Sequence, residues 1–376
     1  MIYLDNAATS HPKAPGVAEA VARCIEDGTC SPGRGSHPLA LAASRLLFET
    51  REACAALLGV AGAERLVFTA SATEALNLVI QGSVPPGGVV ALSSLEHNAV
   101  MRPLRHLEAT QGVRLLVIPF DACGRPEAEA LRQALDQRPD LMVLTAASNV
   151  TGCLTPIEEV AELCGRRGIP LCVDASQLAG HRPLPAGGQF LCFSGHKGLL
   201  GPTGTGGVHI AEGASLRPLI LGGTGSASDS EIQPDFLPDR YESGTPNLPG
   251  LAGLLTALRF IAATGLQTIQ AREAALCDEL LRGLLQLPGV ASMGPAPGAE
   301  RVPVISITMA DRDVAEIALA LDRRGICTRV GLHCAPAAHR SLGTLAAGGT
   351  LRFSPGFFTT PQEIRDTLDA MEAILS

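Results

Sequence analysis

The feature that most constrains the fold is an alternation of short, uninterrupted apolar runs with longer helical stretches in the first half of the chain. The helical stretches include residues 73–80, 126–135 and 156–166. Strands that are apolar along their whole length are typical of parallel sheets, because helices cover both faces of such sheets. The sequence therefore predicts an α/β fold with a mainly parallel sheet, whose strands are residues 65–69, 89–92, 114–118, 141–146, 170–173 and 190–193.

A change of pattern in the last third of the chain indicates a second, smaller α/β domain. Long helical stretches between residues 251 and 287 precede an alternation of strand, helix and strand, and a last helix spans residues 361–375. A chain of 376 residues is long enough for two domains. We therefore predict a large domain over residues 15–254, and a small domain formed by an N-terminal arm, residues 1–14, together with residues 255–376.

Composition argues against several classes of protein. A net charge of −8 and a pI near 5.6 disfavour a nucleic-acid-binding protein, because such proteins rely on basic patches. The first residues lack the pattern of a secretory signal, and no apolar run reaches the length of a membrane span. The eleven cysteines are expected to be reduced thiols, and neither their spacing nor that of the nine histidines matches a metal site. We expect a cytoplasmic protein with no nucleic-acid, membrane or metal partner.

Two strand-to-helix turns carry candidate binding groups. The segment from Thr69 to Asn77 places small residues and the Thr73 hydroxyl at a predicted helix N-terminus, where backbone N–H groups form a cradle for phosphate. An ordinary Ser/Thr N-cap is the alternative interpretation of this segment. After the next strand, His97 is placed to stack on a flat ring or to relay a proton, and an ordinary loop histidine is the alternative.

Two further turns carry an acid and a base. Asp174 directly follows an apolar run, where a charge is costly unless it is paired. An aspartate beside a pyridine nitrogen would keep that nitrogen protonated and strengthen its electron-sink character, whereas a helix N-cap is the alternative role. Lys197 follows a strand within a loop of small residues. A lysine amine that attacks a carbonyl needs a partly desolvated pocket that lowers its pKa, and a surface lysine is the alternative.

Phosphate turn, histidine, aspartate and lysine follow one another in an order that resembles a pyridoxal 5'-phosphate (PLP) enzyme of fold type I, the aspartate-aminotransferase-like fold. The closer resemblance is to the class V aminotransferases and, among them, to the family of cysteine desulfurases and selenocysteine lyases. The compact loop around Cys334 resembles that of the short-loop branch of this family. The motifs that carry the resemblance are residues 3–9, 148–152, 194–197, 241–247 and 329–336.

The resemblance implies a role for each residue that matches around the cofactor. Lys197 would hold PLP as an internal Schiff base, and Asp174 would face the pyridine nitrogen. His97 would stack on the ring and take part in proton transfer, and Gln177 would touch the ring oxygen. The groups that would bind the phosphate are Thr73, Ser194, His196 and the backbone near Ala72.

The remaining matches concern the substrate and a second subunit. Arg352 resembles the arginine that grips the substrate carboxylate, and a planar fork of donors suits such a group. Asn149 would help to position the substrate and the ring. Thr224 resembles the residue that completes the phosphate site from the neighbouring subunit, so the resemblance predicts a homodimer with shared active sites.

Cys334 decides which reaction is expected. It lies in a compact polar loop beside His333 and near Arg329, and a cationic environment lowers the pKa of a thiol and marks a reactive cysteine. From the residues alone, a structural cysteine is the alternative, whereas the resemblance implies the nucleophile of a cysteine desulfurase. Such an enzyme would take sulfur from L-cysteine as a persulfide on Cys334 and release L-alanine. It would then pass the sulfur to an acceptor protein. L-selenocysteine is a further candidate substrate.

Three other functions stay open at this point. The first is a selenocysteine lyase, which would depend less on Cys334. The second is another class V aminotransferase or a β-lyase that forms no persulfide, for which Cys334 would be dispensable. The third is an inactive sulfur-carrier scaffold, and the joint presence of a lysine, an aspartate, a histidine and an arginine matching the family's active site argues against it.

Overall fold

The structure is a computed structural model, and it describes residues 1–27, 31–32, 35–227 and 229–376. Each strand predicted in the first half of the chain is present within one residue of its expected bounds. The elements up to the last strand of the large sheet are β1 (Ile2–Tyr3), α1 (Val17–Glu26), α2 (Pro38–Leu58), β2 (Leu66–Thr69), α3 (Ala72–Ser83), β3 (Val89–Ser93), α4 (Asn98–Gln111), β4 (Arg114–Ile118), α5 (Ala128–Asp136), β5 (Leu141–Thr145), α6 (Ile157–Gly165), β6 (Leu171–Asp174), β7 (Phe190–Ser194) and β8 (Gly206–Ile210). The elements that follow are α7 (Leu248–Thr264), α8 (Leu266–Leu284), β9 (Val290–Met293), β10 (Ile305–Met309), α9 (Val314–Asp322), β11 (Ile326–Cys327), β12 (Arg329–Gly331), α10 (Pro336–Ser341), β13 (Thr350–Phe353) and α11 (Pro361–Leu375).

Seven strands form the large sheet, in the order β2-β8-β7-β6-β5-β3-β4. The neighbours from β7 to β4 are parallel, whereas β8 runs antiparallel to both β7 and β2. The predicted mainly parallel α/β sheet is therefore confirmed. The strand β8 departs from the prediction, because its start, Gly206-Gly207, has the composition of a turn. Glycine is needed there, since a Cβ on Gly207 would lie 2.5 Å from the carbonyl oxygen of Val67 in β2.

Helices cover both faces of this sheet. On one face, Val143 of β5 lies in a buried cluster with Ile80 of α3 and Leu104 of α4. On the other face, Val173 of β6 lies in a buried cluster with Leu254 of α7. Because successive strand residues point to opposite faces, a strand covered on both sides must be apolar along its length, as the sequence indicates.

A second sheet, in the order β12-β13-β10-β9, is antiparallel throughout. Its apolar side chains form a separate core with α8 and α11, in which Ile307, Leu280 and Met371 are fully buried. The N-terminal arm joins this part of the chain, because β1 pairs in parallel with β11 and Asp5 forms an isolated bridge with Ser354. The arm is therefore tied to the C-terminal part of the chain.

The helix α7 crosses the predicted domain boundary between residues 254 and 255 and packs against α1 and α2. Leu258 and Ile261 of this helix share the core of the large sheet, so the helix does not mark a division there, and the domain boundary stays a prediction. Within the described ranges, no single helix is long and apolar enough to cross a membrane. The helices α7 and α8 taken together are long and apolar enough, but the pair is bent by 83° between them.

Candidate active site

The carboxyl ends of four neighbouring strands form one wall of a cavity of about 370 Å³. Asp174 ends β6 and Ser194 ends β7, while His97 and Asn149 follow β3 and β5. These side chains meet because parallel strands end at the same edge of the sheet, which is where open α/β sheets bind ligands. The predicted site residues that line the cavity are Ala72, Thr73, His97, Asn149, Asp174, Gln177, Ser194, His196, Lys197, Cys334 and Arg352.

Lys197 lies three residues beyond β7, in a loop that packs tightly against another segment of backbone. A Cβ on the adjacent Gly198 would lie 2.5 Å from the carbonyl oxygen of Ala179, so glycine is required there by packing. Burial lowers the pKa of the Lys197 amine to about 8, although the charge of Asp174 acts in the opposite direction. About a tenth of this amine is therefore neutral at pH 7, which suits attack on a carbonyl.

Asp174 is buried at the end of β6. A series of turns follows it, whereas the alternative role as a helix N-cap would require a helix there. Ser176 donates both its backbone N–H, at 2.9 Å, and its hydroxyl, at 2.5 Å, to Asp174 Oδ1. These two hydrogen bonds stabilise the carboxylate and fix its orientation at the cavity wall. Nearby, Gln177 Nε2 donates to the carbonyl oxygen of Ala7 at 2.9 Å, which holds the Gln177 amide beside the cavity.

The N-terminus of α3 also faces the cavity. Ser71 is the N-cap, and its hydroxyl accepts the N–H of Glu74 at 3.2 Å, so the Thr73 hydroxyl lines the cavity without serving as the cap. His196 Nδ1 is buried without a hydrogen-bond partner in the described part of the chain. Burial lowers the pKa of His196 to about 4, and the charge of Lys197 adds to the effect. Helix N–H groups together with a neutral imidazole fit a phosphate group.

His97 is the N-cap of α4, and its Nδ1 accepts the N–H of Ala99 at 3.0 Å. Because a backbone N–H can only donate, Nδ1 carries no proton, and the proton of the neutral ring lies on Nε2. Burial lowers the pKa of His97 to about 4, with the charge of Lys197 as the next cause. The ring is therefore neutral at pH 7, and it can donate a hydrogen bond into the cavity through Nε2.

Cys334 belongs to a second wall of the cavity, in the loop between β12 and α10, and it is exposed. His333 and Cys334 are left-handed in succession, with φ values of 47° and 56°. Two hydrogen bonds hold this unfavourable backbone: Asn149 Nδ2 donates to the His333 carbonyl oxygen at 2.6 Å, and the Asn98 N–H donates to the Cys334 carbonyl oxygen at 2.7 Å. The loop thereby keeps the thiol at the cavity.

The surroundings of Cys334 differ in one respect from those predicted. Burial lowers the pKa of His333 to about 2, with Arg352 as the next cause, so the histidine beside the thiol is neutral. Its Nε2 lies 2.8 Å from Thr350 Oγ1. The positive charge on this wall therefore comes from the arginines. Arg352 is buried, and its Nη1 donates to the carbonyl oxygen of Asn149 at 3.0 Å.

A cluster of side chains in the N-terminal arm holds the Lys197 loop in place, and the sequence does not predict it. Lys13 Nζ donates to the His196 carbonyl oxygen at 3.0 Å, and it also donates to two hydroxyl oxygens, Thr9 Oγ1 at 3.1 Å and Ser10 Oγ at 3.0 Å. The Ser10 N–H donates to the same carbonyl oxygen at 3.0 Å. The only signal in the sequence is the motif of residues 3–9, which marks the arm as part of the site but assigns no role to Lys13.

A second positioning group that sequence analysis does not identify is Glu96, the neighbour of His97. Its Oε1 accepts the Ser93 hydroxyl at 2.5 Å and the Thr145 N–H at 2.8 Å, so it ties the end of β3 to the end of β5. Burial raises the pKa of Glu96 to about 8, so the carboxyl is largely protonated at pH 7. A buried glutamate at this place has no signal in the apolar pattern of the strands.

Thr224 lies outside the cavity that holds Lys197. It lines a second cavity, of about 870 Å³, and its hydroxyl is 3.1 Å from Ser226 Oγ. The same cavity contains Arg51 and Glu242, which form a largely buried salt bridge of 2.7 Å. The role of Thr224 in the phosphate site of a neighbouring subunit stays a prediction.

The chain matches the family model for aminotransferase class-V over residues 2–366. It is 33% identical over 375 residues to the probable cysteine desulfurase 1 of Mycobacterium leprae, and the match covers 97% of this chain and 60% of that protein. It is 32% identical over 347 residues to a cysteine desulfurase of Escherichia coli O127:H6, with 89% of this chain and 84% of that protein covered.

A solved structure gives a similar result for the fold. The apo structure of a cysteine desulfurase from Thermococcus onnurineus NA1 superposes with a TM-score of 0.92 at 30% identity, and the match covers 100% of this chain and 94% of that one. The predicted fold is confirmed by this superposition. The chain spans 60% of the length of the mycobacterial relative and 84% of that of the relative from Escherichia coli.

Proposed function

The chain belongs to the class V aminotransferase family and, within it, to the cysteine desulfurases, and we propose that it converts L-cysteine to L-alanine while the sulfur passes to Cys334 as a persulfide. One observation carries the proposal: an exposed cysteine shares a cavity with a lysine of lowered pKa and a buried arginine. That set combines a nucleophile for sulfur, a base and a carboxylate-binding group.

The cofactor of this proposal is PLP, and the residues of the cavity fit it. The N-terminus of α3 would hold the phosphate together with His196 Nδ1, which has no hydrogen-bond partner among the described residues. Asp174 would face the ring nitrogen, His97 and Gln177 would border the ring, and Lys197 would attach the cofactor. When bound there, PLP would supply an electron sink that makes the Cα proton of an amino acid acidic and weakens its Cβ–S bond.

The residues of the chain would divide the remaining tasks. Arg352 would bind the substrate carboxylate, with Asn149 beside it. Lys197, with a pKa lowered to about 8 by burial, would accept the Cα proton and return it, because its pKa is near the working pH. His97 is less suited to that task, because its unprotonated nitrogen already accepts a hydrogen bond from Ala99. It would donate from Nε2.

The atoms and electrons of the sulfur transfer balance when Cys334 is the only group that reacts with L-cysteine. The Cys334 thiolate would attack the sulfur of the bound cysteine, an S–S bond would form and the Cβ–S bond would break. The electron pair of the broken bond stays on the carbon fragment, which takes up protons and leaves as alanine. The sum is L-cysteine plus an enzyme thiol giving L-alanine plus an enzyme persulfide. An exposed Cys334 would also let an acceptor protein collect the sulfur, and L-selenocysteine is a further candidate substrate.

A homodimer is part of the proposal. Large apolar side chains are exposed on α2, where Leu41 is 56% and Phe48 is 58% exposed, and near Thr224, where Leu221 is 70% exposed. Exposed apolar groups of this kind are typical of surfaces that another chain covers. Thr224 lines one cavity with Phe48, and the resemblance implies that it would complete the partner's phosphate site. A monomeric mass in sedimentation, for a protein that is fully loaded with PLP, would contradict the dimer.

The proposed location is the cytoplasm, where thiols stay reduced. Such a compartment would keep Cys172 and Cys192, whose sulfur atoms lie 4.0 Å apart on neighbouring strands, as separate thiols. A persulfide that is passed on to an acceptor also requires reduced thiols. Fractionation of the native cells, followed by detection of the protein, tests this location.

The experiment that tests the activity is a product analysis on the PLP-loaded protein supplied with L-cysteine and a thiol reductant. Wild type is compared with Cys334→Ala, and alanine and pyruvate are both quantified. We expect alanine from the wild type, and a loss of at least about 100-fold in the variant, because it lacks the sulfur nucleophile. An unchanged content of bound PLP shows that the variant is folded.

Pyruvate in place of alanine would identify a β-lyase, and alanine formation that does not depend on Cys334 would exclude the persulfide. Either result would contradict the proposal and favour other amino-acid substrates, with L-selenocysteine tested first.

A further inference from the structure

One carboxylate of the N-terminal arm touches both arginines of the cavity. Arg352 Nη2 donates to Asp5 Oδ1 at 2.9 Å, and Arg329 Nε donates to Asp5 Oδ2 at 3.1 Å. Arg329 Nη2 lies within 3.1 Å of the same Oδ2. Both arginines line the cavity together with Cys334, so Asp5 sits between two cations at the place where a substrate would bind.

The two arginines are held differently. The side chain of Arg352 is 3% exposed, and a second hydrogen bond to the Asn149 carbonyl oxygen fixes it independently of Asp5. The side chain of Arg329 is 45% exposed, and within the described ranges the hydrogen bonds of its guanidinium go to Asp5. Removal of the Asp5 charge would therefore leave Arg352 in place but release Arg329.

The charges explain what this arrangement does. Two guanidinium groups and one carboxylate have a net charge of +1, which matches the single α-carboxylate of an amino acid with a neutral side chain. With Asp5 neutral the net charge would be +2, which would suit an amino acid that carries a second anionic group. Specificity of this kind depends on charges that are already paired and so cannot attract the wrong ligand.

We propose that Asp5 is a specificity-determining residue: it occupies Arg329 and so keeps the cavity from binding amino acids with an anionic side chain. The inference rests on the proposed function in one respect, since it takes Arg352 as the group that binds the α-carboxylate. It adds that Arg329, the second arginine of the same wall, is withheld from ligands. The chain thereby favours substrates with an uncharged thiol side chain.

The test measures equilibrium binding of two amino acids to the PLP-loaded protein by calorimetry. L-Alanine carries one carboxylate and L-aspartate carries two, and neither has sulfur to transfer. The quantity compared is the ratio of the Kd for L-aspartate to the Kd for L-alanine. We expect this ratio to fall about tenfold in Asp5→Asn, the effect of one added charge-assisted contact in a partly exposed place. A general weakening of carboxylate binding by Arg352 would raise both Kd values by the same factor, so it would not change the ratio.

Three further variants make the result specific. Asp5→Glu keeps the charge, and its ratio should stay within about twofold of wild type. Asp5→Asn combined with Arg329→Gln should return the ratio to the wild-type value, since no arginine is released. Arg329→Gln alone should change both Kd values by a similar factor, and it gives a test even where Asp5→Asn does not fold.

The proposal is overturned by an unchanged ratio in Asp5→Asn, by an equal shift in Asp5→Glu, or by a shift that persists in the double variant. It is also overturned if Arg329→Gln alone weakens L-aspartate selectively, because Arg329 would then already be available to ligands. These outcomes are separate from the proposed activity. A wild type that makes no alanine from L-cysteine contradicts the activity, while the binding ratio is still measurable.

Discussion

The two walls of the cavity are built in different ways. The cofactor wall, which we define as His97, Asp174, Ser194, His196 and Lys197, stands at the ends of parallel strands. The substrate wall, defined as Arg329, Cys334 and Arg352 together with Asp5, which binds both arginines, comes from the C-terminal part of the chain and the N-terminal arm. Backbone pairing in the large sheet holds the first wall, and its register aligns Asp174 with Cys192 of the neighbouring strand. In the second wall, backbone pairing in the small sheet aligns Arg329 with Arg352, whereas ion pairs and side-chain hydrogen bonds hold Asp5 and the loop of Cys334.

The difference has a consequence for function. A strand end is fixed by a ladder of hydrogen bonds, so one substitution in the cofactor wall removes a chemical group but leaves the geometry. The substrate wall depends on charges that are shared between a few side chains, so a substitution there changes both a group and the position of its neighbours. We therefore expect a substitution in one wall to impair the function of that wall and leave the function of the other wall intact.

The largest effect is expected for Lys197→Ala. This change removes the group that would attach the cofactor and carry the Cα proton, and we expect turnover of L-cysteine to fall by about 10⁴-fold. Because no strand is altered, the thermal unfolding temperature of the PLP-free variant should stay close to that of the PLP-free wild type. Turnover is measured as alanine formed, and Cys334→Ala is the matched control from the substrate wall, since it should lose turnover but keep PLP attached. Residual turnover above about 1% in Lys197→Ala would contradict the assignment.

The same contrast decides what the sequence could predict. Asp174 and Lys197 are predictable because an apolar run followed directly or within a few residues by a charged residue is a local pattern, and the sheet then brings the ends of such runs together. Neither the pairing of Asp5 with Arg329 nor the bond from Lys13 to the His196 carbonyl oxygen is predictable in this way. These contacts join segments that are far apart in the chain, and they depend on how the arm folds back.

Two local features are also not predictable from the sequence, namely the backbone conformation of Cys334 and the charge of His333. Cys334 adopts a left-handed conformation that glycine normally signals, and here hydrogen bonds from distant residues hold it. His333 is interpreted from the sequence as part of a cationic environment, but its burial lowers its pKa to about 2. Burial is a property of the folded chain, so the charge state of a histidine cannot be predicted from its neighbours in sequence.

A tenfold effect is expected for the pH dependence of cofactor attachment. Lys197 must be neutral to react with the aldehyde of PLP, and burial lowers its pKa from 10.5 to about 8. The neutral fraction therefore grows as pH rises through 8, and the rate of attachment to the PLP-free protein should increase about tenfold between pH 7 and pH 9. The rise in absorbance of attached PLP measures this rate. A rate that keeps increasing with the same slope beyond pH 9 would show that the amine has the pKa of an exposed lysine.

The smallest effect is expected for Lys13→Met, which tests whether the arm supports the cofactor wall independently of the substrate wall. The change removes the bond from Lys13 Nζ to the His196 carbonyl oxygen, but the Ser10 N–H still donates to that oxygen at 3.0 Å. We therefore expect kcat for L-cysteine to fall about threefold with KM unchanged, because the loop of Lys197 loosens while Arg352 is untouched. Lys13→Arg, which keeps a charged donor, should restore kcat. A rise in KM instead would show that the N-terminal arm acts on both walls, through Asp5 and Lys13 together. The two walls would then not be independent.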